Sequence, residues 1–166
     1  MSSDVDQRQA LALQALHDES TLPDLLHTAT REFVEVVDGL ACAISRLVGD
    51  VLIQVAEYAL DGRTLVLGHG YLVSEFPLTK DVLDRNEPRL SSVLEPDPEP
   101  SEAAILYEMG LESLLMLPLF SGRDAWGLAE IYVNGRQFAE EDIAIARPLA
   151  AAFGERLQEM PAAALR

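Results

Sequence analysis

The chain has 166 residues, 49% of them hydrophobic, which excludes a fully disordered protein and gives one domain enough apolar surface for a core. Its 28 Asp and Glu residues outnumber 12 Lys and Arg, and the formal net charge of −16 makes nucleic acid and anionic membranes poor partners. Because Cys42 is the single cysteine, one chain can form neither an internal disulfide nor a thiolate metal cluster.

The N-terminal segment predicts a helix over Val5–His17, since apolar residues share one stripe and neither Gly nor Pro interrupts it. Residues 1–19 form this N-terminal element, which is a candidate for dimerisation. The segment lacks a signal-peptide pattern, and the apolar stretches of the chain end before the ~18 residues of a membrane span. We therefore expect a cytoplasmic protein without a membrane partner.

A second helix follows, and its start and end are both marked in the sequence. Ser20 or Thr21 can cap its first turn, Pro23 suits an early helical position, and Gly39 can close its other end. One face carries apolar residues at helical spacing: Leu22, Leu25, Leu26, Ala29, Phe33, Val36 and Val37.

From Leu40 the apolar residues alternate, which is typical of β-strands. Strands are predicted at 40–47, 51–60 and 64–73, separated by the turns Gly49-Asp50 and Asp61-Gly62. Strands joined by such short turns form an antiparallel meander.

The middle of the chain combines short helices with irregular segments. We predict a helix over 76–86 that ends before Pro88, an exposed acidic and proline-rich loop at 95–100, and a helix from Ser101 to Met109. A binding cleft would then lie where residues 68–109 cover the sheet.

Residues 110–133 are two apolar runs joined by Ser121-Gly122-Arg123-Asp124, which predicts a hairpin at the centre of the sheet. Pro118 cannot donate to a strand ladder, so it should lie where its strand loses a neighbour or kinks. Gly127 inside a strand indicates close backbone approach or a bulge.

The last helix, predicted from Phe138 to Gln158, has apolar residues on two sides. One stripe contains Ile143, Ala146, Ala150, Phe153 and Leu157, and the opposite side contains Ile145, Leu149 and Ala152. One stripe can pack on the sheet, and either the first helix or a second copy of the chain would cover the other. We assign Leu11, Ile145, Leu149 and Ala152 to the interface of an expected homodimer.

The order of the elements predicts an α+β fold: an antiparallel sheet of five or six strands with helices packed on it and adjacent terminal helices. The domain covers residues 20–160, and 161–166 form a tail.

Three motifs in the second half of the chain resemble the closing half of a GAF domain. They are "G-x-x-S-x-L-x-x-P-L" from Gly110, "G-x-L-x-L"-like Gly127-Leu-Ala-Glu-Ile, and "F-x-x-x-D" from Phe138 to Asp142. The resemblance extends back to the helix that begins near Leu22. It implies a profilin-like sheet and a sensory role, because GAF domains bind cyclic nucleotides, tetrapyrroles or metabolites, or dimerise without a ligand.

We therefore expect a stand-alone sensory or regulatory domain that binds an unidentified small molecule and signals through its terminal helices, with a separate output protein as a further partner. The position of the meander, the covering helices and the hairpin suggests five pocket residues: His69, Tyr71, Phe76, Tyr107 and Met116. The alternative is a ligand-free module for dimerisation or protein interaction.

The cofactor stays open, because each specific ligand lacks part of its signature. Asn134 is followed by Gly135 where the cyclic-nucleotide signature has lysine, and Cys42, between two alanines, suits a buried small side chain better than a bilin attachment point. Haem would need an axial histidine, for which His69 is the candidate near the cleft.

Catalytic and metal sites are not predicted. The three histidines show no zinc-binding spacing, and the chain has no nucleophile elbow and no phosphate-binding glycine motif. Reduction of methionine sulfoxide, known in this family, needs more than one cysteine. We expect a protein that is not an enzyme.

Overall fold

A computed structural model of the protein describes residues 2–65, 69–161 and 164. Within them the chain forms five α-helices and a six-stranded antiparallel sheet with strand order β3-β2-β1-β6-β5-β4. The helices are α1 (Ser2–His17), α2 (Leu22–Val36), α3 (Pro77–Arg85), α4 (Pro100–Met109) and α5 (Glu140–Glu159). The strands are β1 (Ala41–Val48), β2 (Val51–Ala59), β3 (Gly70–Leu72), β4 (Arg89–Ser92), β5 (Ser113–Ser121) and β6 (Asp124–Val133). This confirms the predicted α+β fold class.

Helix α2 starts and packs as its sequence predicts. The Thr21 side chain accepts a hydrogen bond from the backbone N–H of Asp24 at 3.4 Å, which satisfies one of the free donors of the first turn. Its apolar stripe is buried against β1 and β2, where Leu25, Ala29 and Phe33 have no exposed surface.

The meander is confirmed, but its third strand is much shorter than the predicted 64–73. Among the described residues of this stretch, the ladder with β2 comprises Gly70–Leu72. The N–H of Leu65 donates to the side-chain carboxylate of Glu57 and not to a strand carbonyl. Residues 66–68 of the predicted strand lie outside the described residues, as do four of the six residues of the predicted tail.

Strand β4 has no counterpart in the sequence prediction. Its four residues follow shortly after α3 and pair with the first four residues of β5, from Arg89 opposite Met116 to Ser92 opposite Ser113. A strand this short contains too few residues for alternation to appear, so only the neighbouring β5 defines it.

The hairpin β5–β6 occupies the centre and one side of the sheet, because β6 pairs with both β1 and β5. Pro118 lies beyond the last β4–β5 pair, where β5 has lost its outer neighbour, as predicted. A Cβ atom at Gly127 would overlap the carbonyl oxygen of Ser45 on β1, which confirms the predicted close approach.

The sheet separates two hydrophobic clusters, one on each face. On β6, Ala129 and Ile131 belong to the larger cluster beneath α2 and α5, whereas Leu128 and Tyr132 belong to the smaller cluster beneath α3 and α4. The single strand β6 therefore contacts both halves of the molecule.

Helix α1 covers the second apolar side of α5 within the same chain. The side-chain amide of Gln9 donates to the carbonyl of Ile145 at 2.9 Å, and the Arg156 guanidinium donates to the carbonyl of Glu19 at 2.6 Å. Leu149 is fully buried in this packing.

Of the four residues assigned to a dimer interface, these contacts correct Ile145, Leu149 and Ala152, whereas the assignment of Leu11 stays a prediction. Leu149 is in the core, and Ile145 and Ala152 are partly buried against it, because the chain's own first helix occupies the place given to a second copy. Leu11 alone of the four faces outward, 64% exposed.

None of the described helices combines the length and the apolar character that crossing a membrane requires.

Candidate functional site

A cavity of about 430 Å³ lies over the smaller-cluster face of the sheet. Its floor comes from Gln54 on β2 and from Glu130 and Tyr132 on β6. Its walls come from β3, α4 and the described residues Thr64, Leu65 and His69 that precede β3. Its volume lies within the ~300–1,000 Å³ typical of small-molecule sites. It occupies the region where the sequence predicts that residues 68–109 cover the sheet.

Glu130 is a buried carboxylate at the centre of the cavity floor, 7% exposed. Its Oε1 accepts a hydrogen bond from the Tyr71 hydroxyl at 2.7 Å, and its Oε2 accepts one from the Tyr132 hydroxyl at 3.2 Å. Burial raises the pKa of Glu130, and the two phenol hydrogen bonds oppose that rise because they favour the ionised form. The two tyrosines thus hold the carboxylate in a fixed orientation.

Glu102 is a second buried carboxyl group in the wall of the cavity, 3% exposed and carried by α4. The Thr79 hydroxyl of α3 donates to its Oε1 at 2.7 Å. Burial, and after it repulsion by Glu130, raises the pKa of Glu102 from 4.5 to about 7, so this carboxyl group changes its charge near neutral pH.

Gln54 lies at the floor beside these groups and is 4% exposed. Within the described part of the chain, its buried side-chain Nε2 has no hydrogen-bond partner. A buried amide group without a partner is costly, so an acceptor on a ligand would stabilise it.

The remaining lining is largely apolar. The rings of Tyr71 and Phe76 pack edge to face with their centroids 5.1 Å apart, and Ile105 and Met109 of α4 close the opposite wall. The cavity therefore offers an apolar surface next to a small set of buried polar groups.

Three of the five predicted pocket residues, His69, Tyr71 and Phe76, line this cavity. The other two are placed elsewhere.

Tyr107 is 69% exposed on the outer side of α4, because the helical period turns Ile105 and not Tyr107 toward the cavity. Met116 is fully buried in the smaller cluster, where its sulfur lies 3.5 Å from the Thr79 hydroxyl. The role of these residues in ligand binding stays a prediction.

Cys42 lies on the opposite face of the sheet from the cavity. It is fully buried in the larger cluster, and burial raises the pKa of its thiol well above 9.0. This position agrees with the predicted small buried side chain and provides no attachment point in the cavity.

The sequence prediction missed Gln54, Glu102, Glu130 and Tyr132. Glu130 did leave a signal, since it is a lone charge in the apolar run of a central strand, where burial on both faces excludes ordinary solvation. Glu102 left none, because an acidic residue in the first turn of a helix normally interacts with the helix dipole in water.

Among the residues that the structure describes, no three His, Cys, Asp or Glu side chains lie close enough together to hold a metal ion. Four such side chains line the cavity, those of His69, Glu102, Glu108 and Glu130, and no three of them form such a group.

The sequence model of the GAF domain matches residues 21–157, and the chain belongs to the GAF domain family. This confirms the resemblance in the motifs from Gly110 to Asp142.

Solved structures with the same fold include domains of several phytochromes. The phycocyanobilin-bound GAF domain of a cyanobacterial phytochrome is 17% identical with a TM-score of 0.79, and the match covers 91% of this chain and 94% of that one. The chromophore-binding domain of bacteriophytochrome RpBphP3 from R. palustris is 13% identical with a TM-score of 0.81, covering 95% and 63%. The photosensory core module of the Stigmatella aurantiaca phytochrome is 16% identical with a TM-score of 0.80, covering 94% and 36%.

At these identities the similarity concerns the fold alone. A comparison with curated protein sequences finds no match.

Proposed function

We propose that the protein is a sensory GAF domain that binds a small molecule in the cavity of Glu102 and Glu130. The observation that carries this proposal is that Gln54 Nε2, a buried polar group without a partner in the described part of the chain, lines the same cavity as two buried carboxyl groups. A folded domain that only provides a scaffold gains nothing from such groups, since apolar side chains would fill the same space at lower cost.

The geometry also supports signalling through the helices. On β6, Glu130 and Tyr132 face the cavity, and the intervening Ile131 packs in the cluster beneath α2 and α5. A ligand that shifts β6 would therefore change the packing of α5 and, through the Gln9–Ile145 hydrogen bond, of α1. These helices would pass the state to a second copy of the chain or to a separate output protein.

The test begins with native mass spectrometry of the full chain purified from its source organism, followed by mass analysis of anything released on denaturation. We expect one small molecule per chain. Hydrogen exchange of this form, compared with protein stripped of the ligand, should show altered protection in α1 and α5 as well as around the cavity. Protein that carries no ligand and shows no thermal shift against nucleotides, tetrapyrroles and metabolites would contradict the proposal.

The similarity to bilin-binding proteins makes a tetrapyrrole one member of that panel. A covalent link through Cys42 is not part of the proposal, because this thiol lies on the other face of the sheet and has no exposed surface.

A ligand-free interaction module remains the second candidate, and the observation that favours it is the outward-facing Leu11 on α1, 64% exposed. Sedimentation of the purified chain tests it: a dimer that Leu11→Asp dissociates, with no ligand bound, supports the module.

The predicted absence of catalysis and the predicted cytoplasmic location rest on the sequence motifs and stay predictions.

A further inference from the structure

The two buried carboxyl groups of the cavity have no lysine or arginine beside them in the part of the chain that the structure describes. Glu102 and Glu130 are 3% and 7% exposed, and of the described residues that line the cavity none is lysine or arginine. Besides these two glutamates, the charged or imidazole side chains of the described lining are those of His69 and the exposed Glu108, and neither is a permanent cation. Buried carboxylates are normally paired with a cation, so these two leave a place for one.

Their hydrogen bonds are also incomplete. A carboxylate can accept about four hydrogen bonds. Thr79 donates one to Glu102, and Tyr71 and Tyr132 together donate two to Glu130, so each carboxylate retains acceptor capacity. A ligand with several N–H donors would use that capacity.

Gln54 is an independent indication that the cavity holds a ligand. It is more than nine-tenths buried, it lines the cavity, and its side-chain Nε2 has no partner in the part of the chain that the structure describes. The amide would pair with a single acceptor on the same molecule.

Other ligand classes fit the cavity less well. An anion would be repelled by Glu130 and would force Glu102 to stay protonated. A metal ion lacks a third ligand, since the described residues contain no group of three that could hold one. A neutral molecule would leave the charge of Glu130 uncompensated in a site removed from water.

The rest of the lining favours an organic cation over a bare ammonium ion. Phe76, Ile105 and Met109 present apolar surface, and the aromatic pair Tyr71–Phe76 can contact a cationic group through a ring face. An apolar body beside the charged head would bury that surface.

We infer that the ligand is an organic cation whose ammonium, amidinium or guanidinium group binds between Glu102 and Glu130, with its apolar body against Phe76, Ile105 and Met109. This inference rests on the proposed function, because it names the ligand class of the same cavity.

The test compares small aromatic probes of nearly equal shape and different charge by calorimetric titration of the full chain. Benzamidine and benzylamine are the cations, benzamide and benzyl alcohol their neutral counterparts, and benzoate the anion. We expect saturable one-to-one binding of the cations and at least tenfold weaker binding of the other three.

Variants locate the binding in the cavity. Glu102→Gln and Glu130→Gln keep the size of the side chain and should each weaken benzamidine binding at least tenfold. Glu155→Gln removes one carboxylate from the exposed side of α5 and should leave it unchanged. If either cavity variant fails to fold, the comparison of benzamidine with benzamide on the unaltered chain still shows whether the cavity prefers a cation.

The pH dependence supplies a second readout. Benzamidine affinity should rise from pH 6 to pH 8, as Glu102 ionises, and Glu102→Gln should flatten the profile. The titratable groups that face Glu102 or line the same cavity are Glu130, Tyr71, Tyr132, His69, Glu99 and Glu108.

The outcomes separate this inference from the proposed function. Equal binding of benzamidine and benzamide, or cation binding that neither variant affects, overturns the cation class. If the chain instead carries a neutral or anionic molecule from its source organism, the sensory proposal stands and the cation class fails. If no probe of any charge binds and the purified chain carries nothing, both fail.

Discussion

Glu102 shows how one buried residue couples stability to pH. In the unfolded chain its carboxyl group titrates near its ordinary value of 4.5, and in the folded chain near 7. Between these values the folded state binds a proton that the unfolded state has lost, so stability decreases as pH rises through this window. One pKa unit corresponds to about 1.4 kcal/mol, and the decrease amounts to about 3 kcal/mol.

We therefore expect urea unfolding of the ligand-free protein to show a lower free energy of unfolding at pH 8 than at pH 5. Glu102→Gln should be more stable than the unaltered chain at pH 8 and should lose most of this pH dependence. Glu155→Gln, which changes an exposed carboxylate, should retain it. Identical pH profiles for Glu102→Gln and the unaltered chain would show that this carboxyl group ionises normally.

At Gly127 the backbone of the neighbouring strand leaves no room for a side chain. A methyl group there would overlap the carbonyl oxygen of Ser45, and neither strand can move without breaking the β1–β6 ladder. We expect Gly127→Ala to lower the free energy of unfolding by about 3 kcal/mol or more.

The matched control is Gly62→Ala. Nothing lies within 4 Å of a Cβ at Gly62, and its φ of +75° leaves only the left-handed backbone penalty of about 1–2 kcal/mol. Urea unfolding of both variants checks the difference, and a Gly127→Ala variant no worse than Gly62→Ala would mean that β1 and β6 separate easily at this point.

At the scale of elements, substitutions in α1 show whether this helix contributes to the stability of the core. Leu16 is fully buried against the larger cluster, while Leu11, on the same helix, is 64% exposed. Leu16→Ala should cost about 2–5 kcal/mol of stability, and Leu11→Ala should change it by less than about 0.5 kcal/mol. Denaturant unfolding measures both, and equal small effects would show that α1 detaches from α5 in solution.

The elements also show which predictions the sequence could support. Helix α2 was predictable from Thr21, Pro23 and its apolar stripe, since each is a local signal that its neighbours satisfy. Strand β4 was not, because Arg89–Ser92 form a strand only through pairing with β5. The two-sided helix α5 was recognised, but the sequence left open whether α1 or a second chain covers Leu149.

At the scale of the whole molecule, the sheet divides the chain into a helix-packed core and a face with a cavity. Cys42 lies in that core with no exposed surface, and burial raises the pKa of its thiol. We expect the native protein at pH 8 to resist labelling by a thiol reagent, with a labelling rate no faster than the rate of global unfolding.

Leu11→Cys supplies the positive control, because a thiol at this exposed position should react at once while Cys42 stays unmodified. Mass analysis of the labelled protein distinguishes the two. Rapid modification of Cys42 in the native state would show that the α2–α5 layer opens locally. The thiol would then again be a candidate for covalent attachment of a ligand.

The sequence by itself determined the fold class, the family and most of the elements, because alternation, helical spacing, caps and turn residues are local properties that each segment carries. It also placed His69, Tyr71 and Phe76 near the cleft, since the meander fixes where they leave the sheet. Only the tertiary structure decided the chemistry of the cavity. The three buried polar residues lie on three different elements: Gln54 on β2, Glu102 on α4 and Glu130 on β6. They become buried, and the pKa values of the two glutamates rise, only when these elements enclose the same volume.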